Sequence, residues 1–255
     1  MTPTWRGFDT FLGTWHCCTH YYNHTFFGDG TVPHPVLDMT RSQKRGDPSF
    51  ASFDLDGQYS TELYANESVR VIRTHNRQRG LYLYLAFQAV HGPYMVPKKY
   101  SSRYSRRSPD EYVYEGMVTA VDAAVGRVVS ALRGARMWDA TLLLVHSDNG
   151  GSIGRNGAMR GGKFGLWEGG VRITAFLGGP LVNAPDGRLG RSWHGLGHVA
   201  DLLPTLLGAA GQTMPNSDYD GIGHTGLDGK MLWTAIMSNA TSPRTEVIHQ
   251  VVNQH

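Results

Sequence analysis

The sequence contains little cysteine, no long apolar run and no strong excess of charge of one sign. Its two cysteines, Cys17 and Cys18, are adjacent, so they do not define a disulfide framework. No apolar run approaches the roughly 20 residues that a membrane-spanning helix needs, and no transmembrane segment is predicted. The 24 Lys and Arg residues against 21 Asp and Glu give a net charge of +3. This bias is too weak to predict a nucleic-acid-binding surface.

Several short motifs are missing as well. Residues 1–6 contain no apolar stretch of the kind that a signal peptide requires. The chain has no phosphate-binding Walker loop, and it shows no evident Ser, His and Asp arrangement of a catalytic triad. Gly150 and Gly151 are adjacent and therefore lack the G-x-G-x-x-G spacing of a dinucleotide site. N-glycosylation sequons begin at Asn23, Asn66 and Asn239. They are a hint of secretion, although such triplets also arise by chance.

The composition is that of a folded protein, with 40% hydrophobic and 18% charged residues. Apolar residues at three- and four-residue steps predict helices at 58–75, 111–134 and 198–208. Short apolar runs predict a buried strand at 81–87 and further strands at 141–145 and 171–177. This order of strands and helices predicts an α/β fold, in which ligand sites lie beyond the carboxyl ends of the strands.

A carboxylate and an amide follow the predicted strand at 141–145. Asp148 and Asn149 offer hard oxygen donors of the kind that Ca²⁺ and Mg²⁺ prefer. The two glycines after them let the backbone come close to a ligand. The same four residues also fit a plain turn that ends a strand. They are candidates for a metal site, with an ordinary turn as the alternative.

A histidine and a lysine lie in two further loops beside predicted strands. His91 follows the strand at 81–87 and can hold an anion or give a proton to a leaving oxygen near neutral pH. Lys163 lies among glycines before the strand at 171–177, where its ammonium can meet an anion. Each residue also fits an ordinary loop position, bonded to backbone or facing solvent. We predict that the three loops converge on one crevice.

A second group of histidines raises the alternative of a zinc site. His16, His20 and His24 are four residues apart, with Cys17 and Cys18 between them. On a helix the three imidazoles would share one face, as in some zinc proteins. The segment is rich in aromatic residues, however, and has no helical apolar stripe. Adjacent cysteines are also awkward co-ligands, so the pattern favours a structural role.

Taken together, these segments resemble the sulfatase family, and within it the arylsulfatase B-like group. The similarity covers nearly the whole chain in the family's order. It rests on Arg6-Gly-Phe-Asp9, Tyr59-Ser-Thr61, residues 81–93, Tyr114-Glu-Gly-Met117, Ser147-Asp-Asn-Gly-Gly151, Arg160-Gly-Gly-Lys163, Leu166-Trp-Glu-Gly-Gly170 and Leu202-Leu-Pro-Thr205. The number of matching segments makes the resemblance specific.

The resemblance implies an alkaline-phosphatase-like α/β fold with a mixed sheet and helices on both faces. It implies hydrolysis of a sulfate ester, which is the expected partner, and one divalent cation, Ca²⁺, bound by Asp148 and Asn149. His91 and Lys163 are expected to contact the sulfate ester, with His91 as the candidate proton donor to the leaving alcohol. The resemblance also implies a secreted or lysosome-like location, in agreement with the sequons.

The resemblance has gaps. The family's nucleophile is a formylglycine made from Cys or Ser in a Cys/Ser-x-Pro-x-Arg motif, and neither Cys17 nor Cys18 begins that pattern. The family's early aspartate pair and most of its smaller C-terminal domain are also missing. We therefore expect residues 1–255 to be an incomplete sulfatase catalytic domain that is inactive alone, with the formylglycine in a missing upstream segment.

Two other functions remain open from the sequence. One is hydrolysis of a phosphate or phosphonate ester, because both tetrahedral anions are handled by the same architecture. The other is a non-catalytic remnant that binds sulfated glycans. A second metal site would favour the phosphate esterase, whereas a formylglycine motif would favour the sulfatase.

Overall fold

The computed structural model of the protein describes residues 2–26, 34–152, 156–182, 190–212 and 228–250. The chain divides into two units, Met1–Trp138 and Asp139–His255. In the described ranges, no helix is both long enough and apolar enough to cross a membrane.

Two long helices form the frame of the first unit. Its helices are α1 (Ser60–Thr74), α2 (Lys98–Ser101) and α3 (Pro109–Gly134). At the start of α3, the backbone N–H and the hydroxyl of Ser108 donate to Oε2 of Glu111, at 3.3 and 2.8 Å. This capping interaction satisfies groups that the first turn leaves unpaired. The helices predicted at 58–75 and 111–134 are thus confirmed.

The first and third helices pack against each other through apolar and small side chains. Ile72 of α1 lies in one buried cluster with Val128 and Leu132 of α3. Ala120 of α3 is also buried, and its methyl group lets neighbouring backbone come close. By contrast Val118, an apolar residue of the same helix, is 47% exposed. Some apolar residues of α3 therefore lie outside its buried face.

The described residues of the first unit also form five short strands. β1 to β5 are Phe11–Gly13, Thr25–Phe26, Val36–Leu37, Thr40–Ser42 and Phe50–Ala51. β4 pairs antiparallel with β1 on one side and with β5 on the other, and β2 pairs antiparallel with β3. These small sheets hold the loop-rich amino-terminal part of the chain.

Residues 81–87 were predicted to be a buried strand, and this prediction is wrong. The segment pairs with no strand in the described part of the chain. Its side chains still alternate as in a strand, because its three leucines pack on the clusters of α1 and α3 while Tyr82 and Tyr84 are 62% and 65% exposed. An apolar run predicts that alternation. It does not predict a hydrogen-bonding partner, which must come from another part of the chain.

Two antiparallel strands support the glycine-rich loops of the second unit. β6 (Leu143–His146) pairs with β7 (Ala175–Gly178), and His146 lies opposite Ala175. The strand predicted at 141–145 is confirmed. The strand predicted at 171–177 begins only at Ala175, because Glu168–Val171 forms a short helix, α4.

The remaining helices of the second unit follow later in the chain. α5 (Leu202–Ala209) comes directly after a 3₁₀ turn at Val199–Asp201, and α6 spans Trp233–Ser238. Pro204 lies in the first turn of α5, where its missing N–H costs no helical hydrogen bond. The helix predicted at 198–208 is therefore confirmed. Further 3₁₀ turns lie at Pro3–Arg6, Phe53–Leu55, Ser102–Tyr104, Trp138–Ala140 and Pro180–Val182.

Candidate functional site

Asp148 and Asn149 lie directly beyond the end of β6. The backbone N–H of Ser147 still donates to the Thr174 carbonyl at 3.0 Å, so the two residues begin where strand pairing stops. The backbone N–H of Asn149 donates to Oδ1 of Asp148 at 2.8 Å, and the Asn149 amide N–H donates to the Gly150 carbonyl at 2.8 Å. Since its NH₂ group donates this hydrogen bond, the side-chain oxygen of Asn149 is the atom that remains for coordinating a cation.

Glycines allow the loop after β6 to pack backbone to backbone on a second loop, residues 160–170. The Gly150 N–H donates to the Gly170 carbonyl at 2.8 Å. A Cβ at Gly150 would overlap the Gly169 carbonyl oxygen, and a Cβ at Gly170 would overlap that of Gly165. Side chains at these positions would force the loops apart. The glycines are therefore a steric requirement of the site.

Lys163 is tied to the same loop through its backbone. Its N–H donates to the Gly151 carbonyl at 2.8 Å, which places the lysine in the loop packed against Asp148 and Asn149. The Lys163 side chain is half-buried, and its Nζ lies 5.4 Å from the ring centre of Phe164. The structure thus brings together the loops of three predicted site residues, Asp148, Asn149 and Lys163, within the second unit.

Asn156 links these loops, and its role was not evident from the sequence. Its Oδ1 accepts the Gly151 N–H at 2.7 Å, and its Nδ2 donates to the carbonyls of Gly151 and Gly161, at 3.0 and 3.1 Å. Nearby, the Arg160 guanidinium stacks 3.6 Å from the ring centre of Trp167. This cation–π contact adds to the hydrogen bonds that hold the ends of the second loop.

His91 lies in the first unit, and its surroundings fix its ring. Its Nδ1 is 2.9 Å from the Gly92 carbonyl oxygen. A carbonyl only accepts, so Nδ1 carries a proton and donates. In the neutral ring this leaves Nε2 as the nitrogen that takes up and gives back a proton. The imidazole therefore has the tautomer that suits proton exchange at Nε2.

Buried polar side chains hold the backbone around His91. The hydroxyl of Tyr21 donates to the His91 carbonyl at 2.8 Å. Tyr21 is fully buried, and burial raises the pKa of its phenol, so the group remains a donor. Gln88 accepts the Ser60 hydroxyl at 2.9 Å and donates to the Thr19 carbonyl. No motif marks Tyr21 in the sequence, and Gln88 lies in the segment 81–93 without a pattern that predicts its hydrogen bonds.

The convergence of all four residues on one crevice stays a prediction. Asp148, Asn149 and Lys163 belong to one unit, and His91 belongs to the other. Within each unit, the loops that carry these residues are held by hydrogen bonds to backbone groups.

The amino-terminal histidines have separate structural roles. Nδ1 of His16 lies 3.3 Å from Oδ2 of Asp38, Nδ1 of His20 accepts the Tyr22 N–H at 3.2 Å, and Nε2 of His24 donates to the Leu55 carbonyl at 3.0 Å. In the part of the chain that the structure describes, no three His, Cys, Asp or Glu side chains form a group that could hold a metal ion. Each of the three imidazoles has a protein contact of its own.

Comparison with known proteins identifies the family. The family model described as Sulfatase matches residues 2–212. The chain is 32% identical over 255 residues to arylsulfatase J of Mus musculus, covering 98% of this chain and 39% of that protein. It is 28% identical over 254 residues to N-acetylgalactosamine-6-sulfatase of Canis lupus familiaris, covering 95% of this chain and 44% of that protein. The chain belongs to the sulfatase family, and it spans less than half the length of these two relatives.

Solved structures give the same result for the fold. The crystal structure of Ps i-CgsB in complex with k-i-k-neocarrahexaose superposes with a TM-score of 0.75 at 25% identity, covering 94% of this chain and 52% of that chain. The sulfatase PsFucS1 from Pseudoalteromonas sp. superposes with a TM-score of 0.72 at 21% identity, covering 96% of this chain and 50% of that chain. The predicted alkaline-phosphatase-like α/β fold is confirmed.

Proposed function

We propose that the protein carrying this chain hydrolyses a sulfate ester with the help of a divalent cation. The observation that carries the proposal is the match of residues 2–212 to the sulfatase family, with Asp148, Asn149 and Lys163 on two loops that pack together. The relatives named above are sulfatases, which favours a sulfate over a phosphate ester. A metal-dependent hydrolase is the general expectation for such a chain.

Asp148 and Asn149 are proposed as cation ligands. A carboxylate and an amide carbonyl are hard oxygen donors. Both residues lie in the loop after β6, whose glycines pack closely against neighbouring backbone. Ca²⁺ takes about six to eight oxygen ligands, so these two residues are part of a coordination shell. A bound Ca²⁺ would supply positive charge to the sulfuryl oxygens. The donor chemistry of the two residues fits that ion.

Lys163 and His91 are proposed to act on the ester itself. The Lys163 ammonium would hold a sulfuryl oxygen and stabilise the negative charge that grows there during S–O cleavage. His91, protonated at Nε2 while its Nδ1–H donates to Gly92, would give its proton to the leaving alcohol oxygen. The attacking group is proposed to be a formylglycine hydrate, which the family makes from Cys or Ser. The chain itself contains no Cys/Ser-x-Pro-x-Arg motif to supply it.

The same family membership supports a secretory location. Of the sequons, Asn66 is exposed, but it lies inside α1 and its side-chain oxygen accepts a hydrogen bond from Arg127. Asn239 lies exposed at the carboxyl end of α6 in the left-handed region, with φ of 54°. It is therefore the sequon that we propose is glycosylated.

The experiment is a comparison of ester hydrolysis by the product of the complete gene, produced in a host that makes formylglycine. We expect turnover of 4-nitrophenyl sulfate well above that of 4-nitrophenyl phosphate. Lys163→Met should lower kcat/KM by about 100-fold or more, as when one donor to a developing oxyanion is removed. Lys44→Met, at an exposed position in the first unit, is the matched control. Preference for the phosphate ester, or full activity of Lys163→Met, would overturn the proposal.

A further inference from the structure

The adjacent cysteines form a pair of thiols at the surface beside His91. Cys17 and Cys18 are both exposed and reduced, and their Sγ atoms are 3.4 Å apart. Cys18 has φ of 61°, in the left-handed region that side-chain-bearing residues seldom adopt. This backbone turn places the two sulfurs on the same side of the chain. Neither residue has a part in the proposed ester hydrolysis.

The backbone on both sides of the pair is held in place. Before it, the buried carboxylate of Asp38 accepts the N–H groups of Trp15 and His16, at 3.1 and 2.8 Å. After it, Thr19 is 1% exposed, and its carbonyl accepts a hydrogen bond from Gln88. The backbone that carries the two thiols is therefore held on both sides. Their proximity is a built feature of the loop.

The pair also touches the candidate proton donor. Sγ of Cys18 lies 3.7 Å from Nδ1 of His91, the nitrogen that donates to the Gly92 carbonyl. A change in the bonding of Cys18 therefore changes the immediate surroundings of the imidazole. Cys17 contacts Cys18 in turn, so the two thiols and the ring form one connected group.

We propose that Cys17 and Cys18 are a redox-sensitive modification site, at which a small-molecule disulfide oxidises the two thiols to a vicinal disulfide. One cysteine thiolate attacks the oxidant and forms a mixed disulfide, releasing the first small thiol. The second cysteine attacks the sulfur of its neighbour, forms the Cys17–Cys18 bond and releases the second small thiol. The two cysteines lose two electrons and two protons, and the small-molecule disulfide gains them. The step removes the Cys18 thiol from its contact with His91.

The geometry favours a reversible bond over a permanent one. Consecutive Cα atoms across a trans peptide are about 3.8 Å apart, whereas bridged cysteines usually have Cα atoms about 4.4–6.8 Å apart. A bond between neighbours is therefore strained, and strained, exposed disulfides are the ones that small thiols reduce readily. Cys17 and Cys18 are therefore suited to pass between the dithiol and the disulfide form as the ratio of small thiols to small disulfides around them changes.

Mass spectrometry of the oxidised chain tests the proposal. The reduced protein is incubated with excess oxidised glutathione, and the peptide containing both cysteines is isolated. We expect this peptide to lose two hydrogen atoms, to carry no glutathione, and to return to its original mass with dithiothreitol. Cys17→Ser and Cys18→Ser should each gain one glutathione instead. A wild-type peptide that carries glutathione, or a disulfide-linked dimer, would overturn the proposal; this result does not depend on how either variant folds.

The contact with His91 is tested by NMR of its imidazole. We expect the His91 ring signals of the wild type to shift on oxidation and to return on reduction. The two serine variants form a matched pair, since both prevent the bridge and only Cys18→Ser removes the thiol beside the ring. Reduced Cys17→Ser should therefore keep the wild-type signals, whereas Cys18→Ser should not. Identical His91 signals in the oxidised and reduced wild type would contradict the coupling.

Discussion

Arg244 holds Asp201 in a two-pronged ion pair in the second unit. Nε of the arginine donates to Oδ2 at 2.7 Å, and Nη2 donates to Oδ1 at 2.6 Å. Asp201 is fully buried, and it also accepts the backbone N–H groups of His198 and Lys230, at 2.8 and 2.6 Å. The pair therefore joins three stretches of chain that are distant in sequence, next to the start of α5.

Removing the arginine should destabilise the second unit strongly. Arg244→Met leaves the Asp201 carboxylate without its counter-charge, and the loss should be clearly larger than that from breaking a surface ion pair. Arg172→Met breaks an exposed pair with Glu168, whose Oε2 is 3.5 Å from Nη1, and should cost less than about 1 kcal/mol. Urea unfolding followed by circular dichroism measures both losses. Equal losses would mean that the buried pair contributes no more than a surface contact.

The same carboxylate should make stability depend on pH. Burial by itself would raise the pKa of Asp201, but hydrogen bonds from Arg244 and from the Lys230 and His198 backbones outweigh it and lower the pKa. A lowered pKa in the folded state means that the contribution is complete above the unfolded pKa, about 3.9. It is lost as pH falls through the lower, folded value. The test is to measure the free energy of unfolding of the wild type and of Asp201→Asn between about pH 6 and pH 2. As the pH is lowered, the value for the wild type should fall more steeply than the value for the variant. Parallel curves would contradict this.

Loss of one hydroxyl should loosen the loop around His91. Tyr21→Phe keeps the stacking of this ring on Tyr59, at 5.5 Å between centres, but leaves the His91 carbonyl without its 2.8 Å donor. The cost should be about 1–3 kcal/mol, because the acceptor is partly buried. Amide hydrogen exchange should become faster at residues 88–92. Tyr82→Phe, at a 62% exposed ring, is the control and should leave both quantities unchanged.

Calcium should stabilise the second unit through Asp148. Binding to the folded state raises the melting temperature by mass action, and only a small rise is expected because two residues supply the ligands. Asp148→Ala should weaken the apparent affinity by about tenfold or more. Asp139→Ala removes an exposed carboxylate of the same unit and should keep the wild-type response. A calcium response that survives Asp148→Ala would exclude this residue as a ligand.

The parts of the fold that the sequence predicts are those set by local pattern. The apolar stripe predicts α3, and Pro204 fits the first turn of α5. The 81–87 run fails as a paired strand because pairing depends on distant residues. The Asp201–Arg244 pair was missed for the same reason: 43 positions separate the two residues, and neither lies in a recognisable motif.

The candidate site divides in a similar way. Asp148, Asn149 and Lys163 lie in contiguous glycine-rich motifs, and their loops are hydrogen-bonded as the motifs suggest. One group that holds those loops, Asn156, is a single polar residue without a sequence signal. Chemistry-bearing residues are visible in short motifs, whereas their supports are set by the tertiary fold.

A methyl group at Gly150 should disrupt the backbone packing between the loop that carries Asp148 and the loop that carries Lys163. In Gly150→Ala the new Cβ would overlap the Gly169 carbonyl oxygen, which is backbone and cannot rotate away. Forcing such a contact costs about 1–3 kcal/mol and should weaken calcium binding along with stability. Gly178→Ala is the matched control on β7, since its Cβ would meet nothing closer than 3.9 Å and should be tolerated. If both variants unfold at the same urea concentration and bind calcium alike, the two loops are not held by close backbone contact at Gly150.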